Sequence, residues 1–432
     1  MRGKTVAIVG GGPAGSFAGY LLAREGVKVY IFDPQSTRQP DLAAGEKIHP
    51  CTGCAGLLHA NAVRLVEQTG VNLPESLIQT HLRGAVTYFP DTLESIPIPL
   101  VQAVTVYRGF SPIKQEGSPV ESFDAYLLNQ AKEAGAVHYQ AIITKIDLSK
   151  EGAQKPVLTD SNGDEYEADI VIGAFGHNPK LMGNIHYPTP ETKLPLPKTQ
   201  RASVREYYFG QEKVRELLKE KIHVFGNPTE KIWFAAIVPK EDYISVVLMG
   251  RDEGIKAEDF LEFFQNPHVH SLTQKNLEEH PVSCSCFSQI TIKSPERFIV
   301  QKDKKVVMIN IGDAGPTSPR KNGIHAAMDS AQHLIEALVQ NGNEAKGLKG
   351  YRKYIERRYV WDNRWSEAVL KISDFVLNKK LPRQAIIYLA KKRIPVISQA
   401  VVNTMSHILT GKDAYWEIPL KVVLDTLRNP LK

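Results

Sequence analysis

Cysteine is scarce. Four Cys in 432 residues exclude a disulfide-stapled scaffold and point to a reducing compartment. No run of 18 apolar residues occurs, so no helix is expected to cross a bilayer. Nothing resembling a secretory leader precedes the first strand-like segment, because residues 1–4 run straight into it, and a cytoplasmic location is expected. The 13 His residues form no HExxH or comparable spacing, so no His-based metal site is expected. Internal repeats and low-complexity tracts are missing too.

What is present is an ordinary globular composition, 42% hydrophobic and 23% charged, with length for two or three structural units. The formal charge of +6 is unevenly spread, with 18 Lys/Arg against 7 Asp/Glu in residues 346–432. That tail reads either as a solvated surface or as one that meets anionic lipid or a phosphorylated substrate. Nucleic acid is set aside, because no recognition motif accompanies the charge.

The chain opens as strand (5–9), glycine turn, helix (16–25) and second strand (27–32) ending in Asp33. In the turn, Gly10 permits a tight bend, Gly12 lets backbone approach a pyrophosphate, and Gly15 allows close contact of helix and strand. Pro13 and Ala14 open the helix, whose free N–H groups face the phosphates. Asp33, 18 residues past Gly15, is placed to bond ribose hydroxyls. Later segments continue the alternation: helix 123–134, strand 136–147, strand 165–172, a Pro-rich connector over 185–199, short alternating strands over 201–292, strand 306–311 and helix 323–340.

Residues 6–33 resemble the FAD-binding start of the glutathione-reductase-type flavoproteins. Gly312-Asp313, Pro319 and Gly323-Ile324 are similar to that superfamily's second motif. The resemblance implies that Asp313 bonds the ribityl chain and that the helix opening at Gly323 faces the flavin pyrimidine, where the dipole favours the anionic reduced ring. Arg108 ahead of Phe123-Asp124-x-x-Leu127 fits the same pattern. Aromatic hydroxylases of this fold carry Ala-Asp-Gly where this chain has Ala174-Phe175-Gly176, so Phe175 stands in place of the acid. Lys47-x-x-Pro50-Cys51-x-Gly53-Cys54-Ala55-Gly56 and the Pro239-Lys240 strand pair narrow the resemblance to the geranylgeranyl reductase-like group. Those flavoproteins saturate isoprenoid double bonds on lipid- or chlorin-linked chains.

The four cysteines form two pairs, Cys51/Cys54 and Cys284/Cys286. They read as bystanders or one catalytic thiol, as a redox disulfide, or, ranked last because Cys-x-Cys is tight, as ligands of an iron–sulfur cluster or zinc. His49 lies beside the first pair and His325 beside the flavin motif, each positioned to move a proton.

The expectation is therefore an α/β flavoprotein with an interrupted Rossmann-like FAD-binding domain (1–80, 106–184 and 296–342). A sheet-rich substrate domain (81–105 and 185–295) and a basic helical C-terminal region (343–432) complete it. FAD is the expected cofactor, with NAD(P)H or another reductant, such as an electron-donor protein, as the source of electrons. The favoured reaction reduces carbon–carbon double bonds of a small-molecule, lipid-like isoprenoid, with Cys51, Cys54 or His49 close to the chemistry. Peripheral attachment to an anionic membrane goes with that reading. Monooxygenation, or electron transfer to a quinone through a cysteine-bound centre, are the alternatives.

Overall fold

The computed structural model describes residues 1–34, 53–90, 95–109, 121–150, 154–251, 254–273, 282–318, 320, 322–391, 395–410 and 413–428. A six-stranded sheet runs in the order Ile299–Lys302, Lys305–Asn310, Ile170–Gly173, Thr5–Val9, Lys28–Phe32 and Val137–Tyr139. All neighbours in it are parallel except the first pair. Its central strands, Thr5–Val9, Ile170–Gly173 and Lys305–Asn310, are apolar along most of their length because both faces are covered. Val6, Ile8, Val29, Ile31, Ile170 and Ile172 point into one core, shared with the helices Pro13–Arg24, Phe123–Glu133 and Gly323–Asn341. Their alternates Ala7, Val9, Phe32 and Val171 point into a second core. That second core lies against a four-stranded sheet of Ile185–His186, Ile143–Asp147, Val157–Asp160 and Glu165–Glu167.

Two sequence-based elements divide in the structure. The pattern over 136–147 predicts one strand, but Val137–Tyr139 joins the parallel sheet and Ile143–Asp147 the small one. Residues 165–172 divide in the same way, between Glu165–Glu167 and Ile170–Gly173. Apolar alternation is blind to a corner between sheets. Ile185–His186 pairs with Ile146 and Asp147, so the chain stays with the small sheet until His186.

The third sheet has eight strands, in the order Val282–Lys293, Lys198–Tyr208, Tyr243–Gly250, Ile232–Pro239, Lys221–Gly226, Thr80–Tyr88, Ser95–Thr105 and Leu57–Leu58. One face buries Ala235, Ile237, Val246 and Leu248 against Phe260 and Phe263 of the helix Ala257–Phe264. The opposite face carries Ala85, Val204, Ala236, Val238 and Val247, over which pack Ile387, Val402 and Met405 of the helices Lys380–Lys391 and Pro395–Thr410. Lys240 and Glu206, both fully buried, form an ion pair beneath this sheet, and Ser245 Oγ donates to Glu206 Oε1 at 2.7 Å. Among the described residues no helix is long and apolar enough to cross a membrane.

His223 gives the fold a pH dependence. Its ring shares hydrogen bonds with the Leu218 carbonyl, 3.3 Å from Nε2, and the Tyr88 hydroxyl, 2.9 Å from Nδ1. Nε2–H donating and Nδ1 accepting suits the neutral ring. Burial pushes its pKa down from 6.5 to about 4. The unfolded chain takes up this proton first, so the stabilisation is whole above about pH 6.5 and drains away as pH falls towards 4. Denaturant titrations should show a loss on the order of 3 kcal/mol across that window. His223→Gln should flatten it, and an unchanged slope in the variant would assign the loss to another group.

Candidate functional site

Strands ending at Val9, Gly173 and Asn310 finish side by side, and Pro13, Asp313 and Gly323, from beyond the first and the third, floor a cleft of about 390 Å³. Carboxyl ends of parallel strands are where open α/β sheets bind ligands. The first loop is fixed by close approach. Gly10 has φ +106°, and a Cβ there would sit 2.4 Å from the Ala174 carbonyl oxygen. At Gly15 a Cβ would fall 1.8 Å from the Gly10 carbonyl oxygen, so only glycine lets the helix come down on the strand. Gly12 is different. It caps the helix with φ −71°, and a Cβ there meets nothing within 4 Å. The protein's own packing does not require this glycine; the space before the helix N-terminus does. Pro13, at the first helical position, lines the cleft, and Ala14 packs 3.0 Å from where a Gly312 Cβ would be. Asp33 is buried, and its Oδ2 accepts the Gly11 N–H at 2.5 Å, so the carboxylate braces the loop as well as ending the second strand.

The opposite side of the floor is built by Gly312-Asp313 and the helix Gly323–Asn341. Gly312 (φ +58°) donates its N–H to Ser330 Oγ at 3.3 Å. The Asp313 side chain is 43% exposed and lies 4.0 Å from His177 Nε2, which is itself 3.1 Å from Thr291 Oγ1. Desolvation pushes the Asp313 carboxyl up, against the pull of His177 and Arg108. A Cβ at Gly323 meets nothing within 4 Å, so a second helix N-terminus also opens on free space, with Ile324 beside it in the lining. Burial lowers the His325 pKa, against the pull of Asp329.

Arg108 lines the cleft but is pinned: Nε and a terminal nitrogen donate to Asp124 at 2.6 and 2.9 Å, and Gly109 N–H joins them at 2.9 Å. Burial works against its charge, yet Asp124 and the Cys54 thiol raise its pKa and keep it cationic. Cys54, half-buried in the same lining, accepts the Gly56 N–H at 3.4 Å. The expected Lys47, His49, Cys51 and Pro319 lie outside the described residues, as does the Cys284 side chain; Cys286 is buried. Among the described residues no group of three or more His, Cys, Asp or Glu could hold a metal.

The wall facing this floor is not legible in the sequence. It is the open face of the eight-stranded sheet, with Ala85, Val204, Phe234, Ala236, Val247 and Met249 turned into the cleft. Strict alternation in Ile232–Pro239, where 234, 236 and 238 share one face, is the one available signal. His177 carries none beyond following a strand's carboxyl end.

The family model described as an FAD binding domain matches residues 4–358. The chain is 25% identical over 370 residues to a digeranylgeranylglycerophospholipid reductase of Methanocaldococcus jannaschii, covering 82% of this chain and 83% of that one. It is 23% identical over 384 residues to a chloroplastic geranylgeranyl diphosphate reductase of Nicotiana tabacum, covering 84% and 71%. Its fold resembles the crystal structure of a geranylgeranyl bacteriochlorophyll reductase-like protein from Thermoplasma acidophilum, with a TM-score of 0.64, 17% identity, and 99% and 97% of the two chains covered.

An FAD fits the residues present. Two helix N-termini open on space that a Cβ would invade without touching protein, one suited to a pyrophosphate and one to an electron-rich ring. This separates two glycine variants. Gly12→Val should fold normally, with an unchanged melting transition of the apoprotein, and purify without flavin. Gly15→Val should lose the fold of the first unit itself, read as early thermal unfolding. Full flavin content in the Gly12 variant would remove the pyrophosphate from this loop.

Proposed function

Since the chain belongs to the FAD-binding-domain family, we propose that it is a geranylgeranyl reductase-like enzyme that saturates carbon–carbon double bonds in an isoprenoid lipid. The observation that carries this reading is the juxtaposition of an apolar sheet face, lined by Ala, Val, Phe and Met, with the glycine-bordered floor. A flexible, uncharged polyprenyl chain can spread over such a wall and drive water from it. Bound FAD supplies hydride chemistry. Gly10, Gly12, Gly15 and Asp33 hold its nucleotide half, and Gly312, Asp313 and Gly323 its ring half. Cys54 Sγ delivers the proton to the second carbon, and Arg108, clamped by Asp124, keeps that thiol oriented. The names of the archaeal and plant relatives support the same substrate class.

Exposed apolar side chains support attachment to a membrane surface. Ile372, Phe375, Leu381 and Tyr388 stand 54–79% exposed on the C-terminal helices, among Lys371, Lys379 and Lys380. Each cation near an anionic surface contributes on the order of 1 kcal/mol, screened by salt.

Reduced holoenzyme mixed with geranylgeranyl diphosphate without oxygen should regain oxidised-flavin absorption in a single turnover, with one double bond lost from the product. Cys54→Ala should slow that step about 10²-fold while leaving flavin content and reduction intact. Reoxidation that requires oxygen and yields a hydroxylated product would contradict the reading. Co-sedimentation with vesicles should rise with their anionic lipid content and fall with salt.

A further inference from the structure

A second cavity, of about 680 Å³, adjoins the cleft, and Arg320 lines both. It differs in character. Six cationic side chains line it against three carboxylates. Two of the cations are committed within the protein: Arg251 to Asp374 at 2.9 Å, and Lys371 to Glu367 at 2.9 Å. The side chains of Lys198, Lys293 and Arg364 make no hydrogen bond or ion pair with the described residues. The Lys371 hydrogen bond and charge lower the Glu367 pKa, and Lys293 and Lys198 add to that only through their field.

The buried polar atoms are more telling. Asn363 is 8% exposed; its Oδ1 accepts the Ser294 N–H at 3.4 Å, while its Nδ2 has no partner among the described residues. Arg320 Nε and Trp233 Nε1, also in this lining, are buried and unpartnered as well. The Arg320 guanidinium stands 5.4 Å from the Trp233 ring centre, and a terminal nitrogen donates to Gln200 Oε1 over a long 3.5 Å. Buried polar groups are normally satisfied. All three unsatisfied atoms in this lining are donors, and no unsatisfied acceptor joins them among the described residues. A site that collects spare donors under a cationic rim is complementary to an acceptor-only, multiply charged group.

We propose that this cavity seats the phosphate-bearing head of the substrate, with Arg320 at the junction where head gives way to chain. The assignment rests on the reading that the apolar cleft takes a prenyl chain. The shared chemistry is a phosphate ester or diphosphate; a prenyl diphosphate and a prenylated phospholipid both offer it. Arg320, Trp233 and Asn363 bond its oxygens, while Lys198, Lys293 and Arg364 supply the rim charge. Fixing the head there sets how far along the chain each double bond meets the glycine-lined floor.

The test uses holoenzyme and the variant Lys293→Gln/Arg364→Gln, both changes at exposed positions that leave packing alone. Inorganic pyrophosphate titrated into wild type should give saturable binding that weakens with salt, and the variant should bind about 10- to 100-fold more weakly at equal flavin content. No binding to wild type, or equal binding to both, overturns the proposal. In turnover, the KM for geranylgeranyl diphosphate and for digeranylgeranylglycerophospholipid should rise in the variant, while that for the headless alcohol geranylgeraniol stays unchanged. A rise confined to one ester identifies the source of the head group, and an equal rise for the alcohol overturns the proposal. If pyrophosphate binds as expected and no prenyl compound reoxidises the flavin, the reductase reading fails and the anion site stands.

Discussion

The contact on which the rest depends is the approach of the first helix to the first strand, where Gly15 lies against the Gly10 carbonyl closer than any Cβ would permit. That contact aims the N-terminus of Pro13–Arg24 into the cleft. Asp33 holds the intervening loop by accepting the Gly11 N–H. Across the floor, Gly312 meets Ala14, so the second glycine motif is seated on the first helix. The two helix N-termini that open on free space are thus set relative to each other by backbone packing, with no long side chain in between. A cofactor carrying negative charge at two separated points meets a site organised before it arrives.

The opposing sheet solves a different problem. Eight strands give it two apolar faces, and each needs a cover. Phe260 and Phe263 close one face; Ile387, Val402 and Met405 close part of the other and leave the remainder as the cleft wall. The buried Lys240–Glu206 pair holds the far end of the same strands. A buried pair adds little net stability, but breaking it would strand a charge, so it fixes one arrangement of the strands rather than strengthening it. The basic C-terminal region, ambiguous as a sequence, therefore has a structural role, because its helices roof the wall. Their outward side keeps the exposed apolar and lysine residues.

Legibility follows the distance over which each feature is encoded. The glycine loop, Asp33 and the Gly312–Gly323 segment are local spacings, and the structure brings the described members of both motifs to one floor. Arg108 reads as a cofactor residue in the sequence; the geometry adds that Asp124, sixteen positions on, holds it bidentately. The wall is hidden because Ala85, Val204, Ala236 and Val247 come from four strands, and the first two lie far in sequence from the hairpin that carries the others. In Tyr243–Gly250 both faces are buried, which erases the alternation that marks a lining strand. The unpaired donors of Asn363, Arg320 and Trp233 are invisible for a simpler reason. Being unsatisfied is a property of neighbours, and no spacing encodes it.

The central claim is that one cleft seats a flavin against an apolar chain. It is tested most directly by mass spectrometry of the small molecules released from the purified protein on denaturation. The account predicts FAD at one per chain, together with a prenyl-chain lipid that becomes more saturated when the protein is chemically reduced before release. Protein that releases no flavin, or flavin accompanied only by a compact aromatic ligand, would contradict it.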